Sequence, residues 1–204
     1  MAAELKGVHA VGRRNLQFYL DIATCTFVFF LFSFFRPDFV LLAVWVLMWP
    51  YIFISRRKKL LVYFLLSNII GIGWFILSKN NIHYVRGFLS FRGHQFFVLF
   101  GWSLGLVFFK MICDSLKRIF HFTSYLSEYL FFSVLFIAVL LAAESIGYHF
   151  FNITNELAVG TAGLPVLDCI HGPAWIKIGY CLTGPLYLIL TGVFYAFKRR
   201  EVSA

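Results

Sequence analysis

The sequence predicts an all-α integral membrane protein: one domain over residues 1–204, a bundle of about six transmembrane helices with a long outer loop before the last helix. Three observations predict it. First, 61% of the 204 residues are apolar and 13% charged, with mean hydropathy +0.82. Soluble domains run at about 45–50% and about 25%. With 27 phenylalanines, this composition excludes a soluble enzyme, a disordered chain and a disulfide scaffold. Second, six apolar runs approach the roughly 20 residues that a bilayer-spanning helix needs. Third, the basic residues that make the net charge +9 fall in short clusters between those runs, as topology signals do.

The spans are expected at about 17–35, 39–55, 60–78, 95–113, 124–147 and 173–196. The first follows a polar start carrying Lys6, Arg13 and Arg14 and is Phe-rich near its end. It therefore reads as a retained helix rather than a cleaved signal. The second is the shortest, and Pro50 should loosen it locally by removing a backbone donor. The third carries Gly71 and Gly73 beside Ser67 and Asn68, and the fourth carries Gly101-x-x-x-Gly105. Small residues there allow close helix approach, a dimer face or a substrate groove. Proline in Gly172-Pro173 suits the first turn of the sixth.

With the N-terminus inside, the inner segments hold twelve Lys and Arg residues, including Arg56-Arg57-Lys58-Lys59 and Lys198-Arg199-Arg200. The outer loops hold four: Arg36, Lys79, Arg86 and Arg92. Both termini are accordingly expected in the cytoplasm, and the plasma membrane or a bacterial inner membrane is the expected location. Nucleic acid is not an expected partner, because no RNP-like, zinc-finger or helix-turn-helix pattern accompanies the charge. Membrane lipids, a second copy or a partner membrane protein are. The cysteines Cys25, Cys113, Cys169 and Cys181 include no C-x-x-C, and neither a cofactor nor a metal site is expected.

Ionisable residues inside spans are functional-site hypotheses by default. They are Asp21, Lys110, Glu128, Glu144 and Lys177, each roughly 4–6 Å from a helix end. Antiparallel neighbours would set Lys110 beside Glu128 on the inner side and Glu144 beside Lys177 on the outer. The plainer alternatives are snorkelling and an i,i+4 pair of Lys110 with Asp114.

Chemistry is expected on the outer face. Loop 79–94 gathers Lys79, His83, Arg86, Arg92 and His94 with Tyr84, Phe88 and Phe91. This reads as a headgroup or anion site formed by Arg86, Arg92 and His94, or as an interfacial amphipathic segment. The loop 148–172 lacks Lys and Arg but has dense turn signals and apolar residues, which argues for a lid-like segment folded onto the bundle. Near or within it stand Glu144, His149, Glu156, Asp168, Cys169 and His171. Of these, Asp168, His171, His149 and Glu144 form the candidate acid/base set. A metal site with His149 is a weaker alternative, since the spacing matches no metal motif, and so is a Cys169–His171 nucleophile, which needs a lowered thiol pKa and an oxyanion hole that the sequence does not show. Asn152-Ile153-Thr154 is a formal glycosylation sequon.

The stretch from Gly147 through Leu164-Pro165-Val166-Leu167-Asp168 resembles the helix-loop-helix of membrane carotenoid (lycopene) cyclase domains. There a Leu-Pro step precedes two adjacent carboxylates acting on an isoprenoid. The likeness covers about a tenth of the chain and departs at the second carboxylate, where Cys169 stands. The substrate-binding subunits of vitamin transporters are similar in size and topology. Two functional classes follow: a membrane enzyme acting on a lipid or isoprenoid at the outer face, or a small-solute carrier or binding subunit. An assembly or scaffold protein is the third.

Overall fold

The computed structural model describes residues 19, 22–24, 26–54, 58–79, 82, 84, 87–117, 119–155, 160–165 and 167–203, and for 58 and 195–203 the backbone alone. The architecture is mostly helical. A short apolar helix, α1 (Ile22–Leu31), is followed by α2 (Pro37–Ile54), α3 (Lys58–Ser78), α4 (Phe96–Leu116), α5 (Tyr125–His149) and α6 (Ala174–Ser203). A two-residue hairpin, β1 (Ser90–Phe91) against β2 (His94–Gln95), precedes α4. Among the described residues, five helices, α2 to α6, are long and apolar enough to cross a membrane. That architecture is compatible with a multi-pass membrane protein. In lipid each backbone polar group must be satisfied within its own segment, which a continuous helix achieves.

Several boundaries differ from the expected ones for local reasons. Among the described residues the first span is helical at Tyr19 and over Ile22–Leu31 and turns at 32–34; residues 17, 18, 20, 21 and 25 lie outside them. Helix α2 starts at Pro37 rather than 39, because proline at the first position and Asp38 in the first turn favour a helix start. Pro50 sits inside α2, which continues to Ile54. Helix α5 is capped by Ser124, whose hydroxyl accepts from Ser127 N–H at 3.1 Å while Ser127 Oγ accepts from Ser124 N–H at 3.3 Å.

Helix α4 is the centre of the bundle. Of its most apolar stretch 56% is buried, against 17% for α5. It packs on α3 and α2, and α6 packs on α5 and α3. Polar bonds fix these contacts. Trp45 Nε1–H donates to Asn68 Oδ1 (2.8 Å) between α2 and α3, and Trp74 Nε1–H to Thr183 Oγ1 (3.0 Å) between α3 and α6. Gly179 permits the latter approach, since a Cβ there would lie 2.9 Å from Trp74.

Antiparallel order groups the loops at two ends. At one end lie Arg36, the hairpin and the 150–173 connection. Arg36 bonds the Gly87 carbonyl (3.2 Å), and Tyr84 bridges to Asn155. This is the hairpin end. At the opposite end the interhelical Lys110–Glu128 pair does not form, and the i,i+4 alternative does. Lys110 pairs with Asp114, its i,i+4 neighbour, and Glu128 pairs with Lys117 across the α4–α5 turn. A short turn brings Lys117 to the start of α5, and Lys110 is held instead by the Asp114–Tyr63 hydrogen bond (2.8 Å) and the Tyr63 ring (4.8 Å). The expected Glu144–Lys177 pair does not form either, because Lys177 Nζ donates to the Ala162 carbonyl at 2.7 Å. Asp21 lies outside the described residues.

Candidate functional site

Between α1, α4 and α5 lies a cavity of about 300 Å³, at the small end of the range for ligand sites, about 300–1,000 Å³. Its wall runs on α4 from Phe97 to Ile112 and on α5 from Phe136 to Tyr148, which at 1.5 Å per residue is about 20 Å of depth. Val28 and Phe29 of α1, with Phe32 in the turn after it, close one side. Gly101 and Gly105 both line it. A Cβ on Gly105 would meet nothing within 4 Å, and one on Gly101 only Leu41 at 3.8 Å. The Gly-x-x-x-Gly pair therefore borders open space rather than a helix contact, which is the groove reading of that motif.

The lining is apolar at depth and changes character towards the hairpin end. There it includes Tyr84 from the loop, Trp102 from α4, Glu144 and Tyr148 from α5, and Tyr180 from α6. The rings hold one another: Trp102 stacks on Trp74 (5.2 Å) and meets Tyr180 edge-on (4.8 Å), while Tyr84 meets Phe97 edge-on (5.0 Å). Gln95 Oε1 accepts the Tyr84 N–H at 3.2 Å. Burial, and then the nearby Glu144 charge, raise the Tyr84 hydroxyl well above the ordinary tyrosine range, so it stays a neutral donor. Glu144 is half-buried, and its carboxylate accepts no hydrogen bond and pairs with no cation among the described residues.

Beside this mouth stands an Asp–His pair. His171 Nε2–H donates to Asp168 Oδ1 at 2.9 Å; the histidine side chain is 9% exposed and the aspartate 66%. The His171 ring stacks on Tyr148, which also lines the cavity, with centroids 4.4 Å apart and planes at 19°. Its Nδ1 is buried with no hydrogen-bond partner among the described residues. The loop that makes this pair is strained. Asp168 (φ 42°) and Ile170 (φ 53°) occupy left-handed backbone, costly for a β-branched residue. The conformation is held by burial of Cys169 and Ile170 against Trp74, Ile82, Val98, Ile176 and Tyr180. Two turn bonds add to it, Leu164 N–H to the Cys169 carbonyl (2.8 Å) and Asp168 N–H to the Leu164 carbonyl (3.0 Å). Gly163 is required here, since a Cβ would approach Asp168 Oδ1 to 2.6 Å.

The remaining expected site residues are placed apart from the cavity. His149 donates to the Leu167 carbonyl at 3.2 Å and so braces the same loop. His94 turns back to bond the Phe75 carbonyl (3.0 Å) and stack on the Phe75 ring. Arg92 is exposed in the hairpin turn (φ 52°) with its guanidinium over Phe91. Arg86, His83 and Glu156 lie outside the described residues. The described His, Cys, Asp and Glu side chains form no group of three or more placed to hold a metal ion.

Sequence reasoning passed over Asp38 and, Tyr84 apart, the aromatic rim. Asp38 is fully buried, paired with Arg36 (2.8 Å) and bonded to Leu89 N–H (2.9 Å), so it fastens the hairpin loop to α2. The Arg36–Asp38 hydrogen bond raises the Arg36 pKa further, keeping its charge permanent. Its signal was present as an acid directly after Arg36-Pro37 at a helix start. Fold and site together define a helical bundle of membrane-length segments enclosing a ligand-sized apolar cavity with a polar rim at one end. No family model, curated protein or solved structure matches the chain. The likeness of the Gly147–Asp168 stretch to carotenoid cyclases therefore rests on those residues alone.

Proposed function

We propose that the chain is a multi-pass membrane protein that takes a lipid-like or isoprenoid molecule into the α1/α4/α5 cavity and acts on its polar end at the outer face. The hairpin end is the outer end in this reading, supported by the concentration of Lys and Arg in the opposite loops. Both termini are then cytoplasmic. The observation that carries the proposal is the gradient along the cavity: apolar wall over most of its depth, polar groups only at one mouth, and the Asp168–His171 pair joined to that mouth through Tyr148. Asp168 orients and polarises His171, which is left with a free nitrogen, the arrangement a general base needs. Glu144 and Tyr84 would meet the ligand's polar end, and His149 would hold the loop. Arg92, exposed in the hairpin turn, would belong to the surrounding headgroup layer.

Lipid extraction of the purified protein tests this reading. Mass spectrometry should find one class of amphiphile in near-stoichiometric amount, retained through detergent exchange. Gly105→Leu points a side chain into open space, so it should melt like the parent and lose that molecule. Identical lipid profiles from the two proteins would overturn the proposal.

A further inference from the structure

We infer that the cavity is built for an amphiphile whose head carries a cationic nitrogen, a primary or quaternary amine, with Glu144 as its counter-ion; this rests on the lipid-binding reading above. Three observations converge. Among the described lining residues Glu144 is the single charged side chain. Its carboxylate has no partner there, because Lys177, the neighbouring cation at similar depth, is engaged by the Ala162 carbonyl. And the same mouth is bordered by the rings of Tyr84, Trp102, Tyr148 and Tyr180.

An ionised carboxylate facing an apolar cavity is costly unless something pairs with it. Aromatic faces attract cations, most of all quaternary and methylated ammonium groups, and more strongly once water is excluded. Carboxylate and rings together favour an ammonium head, whereas an anionic head would meet Glu144 with no described cation in the wall to offset the repulsion. Of the cation cluster read from loop 79–94, the described members Lys79, Arg92 and His94 do not line the cavity.

A matched-chain series tests the inference on the full-length protein in maltoside micelles. Three tetradecyl amphiphiles, each with a nitroxide on the chain, carry trimethylammonium, hydroxyl or carboxylate heads. Binding is read as saturable quenching of tryptophan fluorescence, to which Trp102 in the wall responds. The ammonium probe should bind at least tenfold more tightly than the alcohol, and the carboxylate more weakly than either. Glu144→Gln should abolish the preference, so that ammonium and alcohol probes bind that variant alike, and Glu144→Asp should keep it. If Glu144→Gln fails to fold, the parent's own ranking decides. Saturable quenching by all three heads with equal affinity would overturn the cation inference and leave the lipid-binding reading standing. Absence of saturable quenching by any of them would overturn that reading, and this one with it.

Discussion

Tyr148 and His171 lie face to face, 4.4 Å between ring centroids and 19° from parallel, so one aromatic ring forms both a wall of the cavity and the backing of the Asp168–His171 pair. The Asp168–His171 pair and the cavity thereby share one ring, although neither Asp168 nor His171 is itself part of the lining.

If that pair does chemistry, its removal should separate function from folding. Asp168 is largely exposed and its loop is held by the burial of Cys169 and Ile170, so Asp168→Asn should melt within about 1 kcal/mol of the parent, as substitutions outside buried networks do. His171→Ala loses a stacked ring worth about 0.5–1.5 kcal/mol and should be somewhat less stable. Both should still retain the co-purifying molecule, while turnover of that molecule, followed by mass spectrometry, falls by at least 10²-fold. Unchanged turnover in both variants at normal expression would remove the pair from the mechanism.

Much of the fold was legible because the bilayer imposes simple rules. Five apolar runs became α2 to α6 with small boundary shifts. The partners of the charged residues were legible only in part, because depth alone does not choose between neighbours. Lys110 takes the i,i+4 alternative, Asp114, whereas Lys177 found a loop carbonyl whose position depends on the fold of residues 160–165. The acid/base set was half legible. Asp168 and His171 meet because they are three residues apart in a tight turn, and His149 joins the same loop through a backbone carbonyl. The cavity itself was hidden, since no local pattern tells a glycine that borders space from one that admits a helix. Gly105 and Gly179 read alike in sequence and differ completely in surroundings.

That difference is measurable. Gly179→Ala would press a methyl against Trp74 and disturb the Trp74–Thr183 bond. Overpacking of this kind costs about 1–3 kcal/mol, and detergent melting should fall accordingly. Gly105→Ala should leave the melting temperature unchanged.

Lys110 and Asp114 should behave as a unit. Lys110 is buried at the end of α4 and Asp114 is 28% exposed. Asp114→Leu strands the ammonium and should cost about 3 kcal/mol, the lower end of the range for breaking such pairs. Adding Lys110→Met should restore most of the loss. Additive losses in the double variant would contradict the pairing.

Asp38 should matter for the hairpin more than for the helices. Asp38→Ala leaves the Leu89 N–H without its acceptor, a loss of about 1–3 kcal/mol. Hydrogen exchange should accelerate at residues 87–95 while α3 and α4 keep their protection.

Orientation follows from the basic residues. Single cysteines replacing Leu5 and Val202 should be shielded from an impermeant reagent in intact cells, and one replacing Ala158 should react, each compared with the parent chain. The reverse pattern would invert the assignment of the hairpin end to the outer face.

The central claim is that an amphiphile lies with its chain between α4 and α5 and its head at the Glu144 end. Photo-crosslinking with a tetradecyl probe carrying a diazirine at the chain terminus tests it most directly. The account predicts adducts on the deep wall, at Phe136 and Ile112, competed by unlabelled probe and abolished by Gly105→Leu. Adducts spread over lipid-facing residues such as Ile69 and Leu182, indifferent to competitor and to Gly105→Leu, would contradict it.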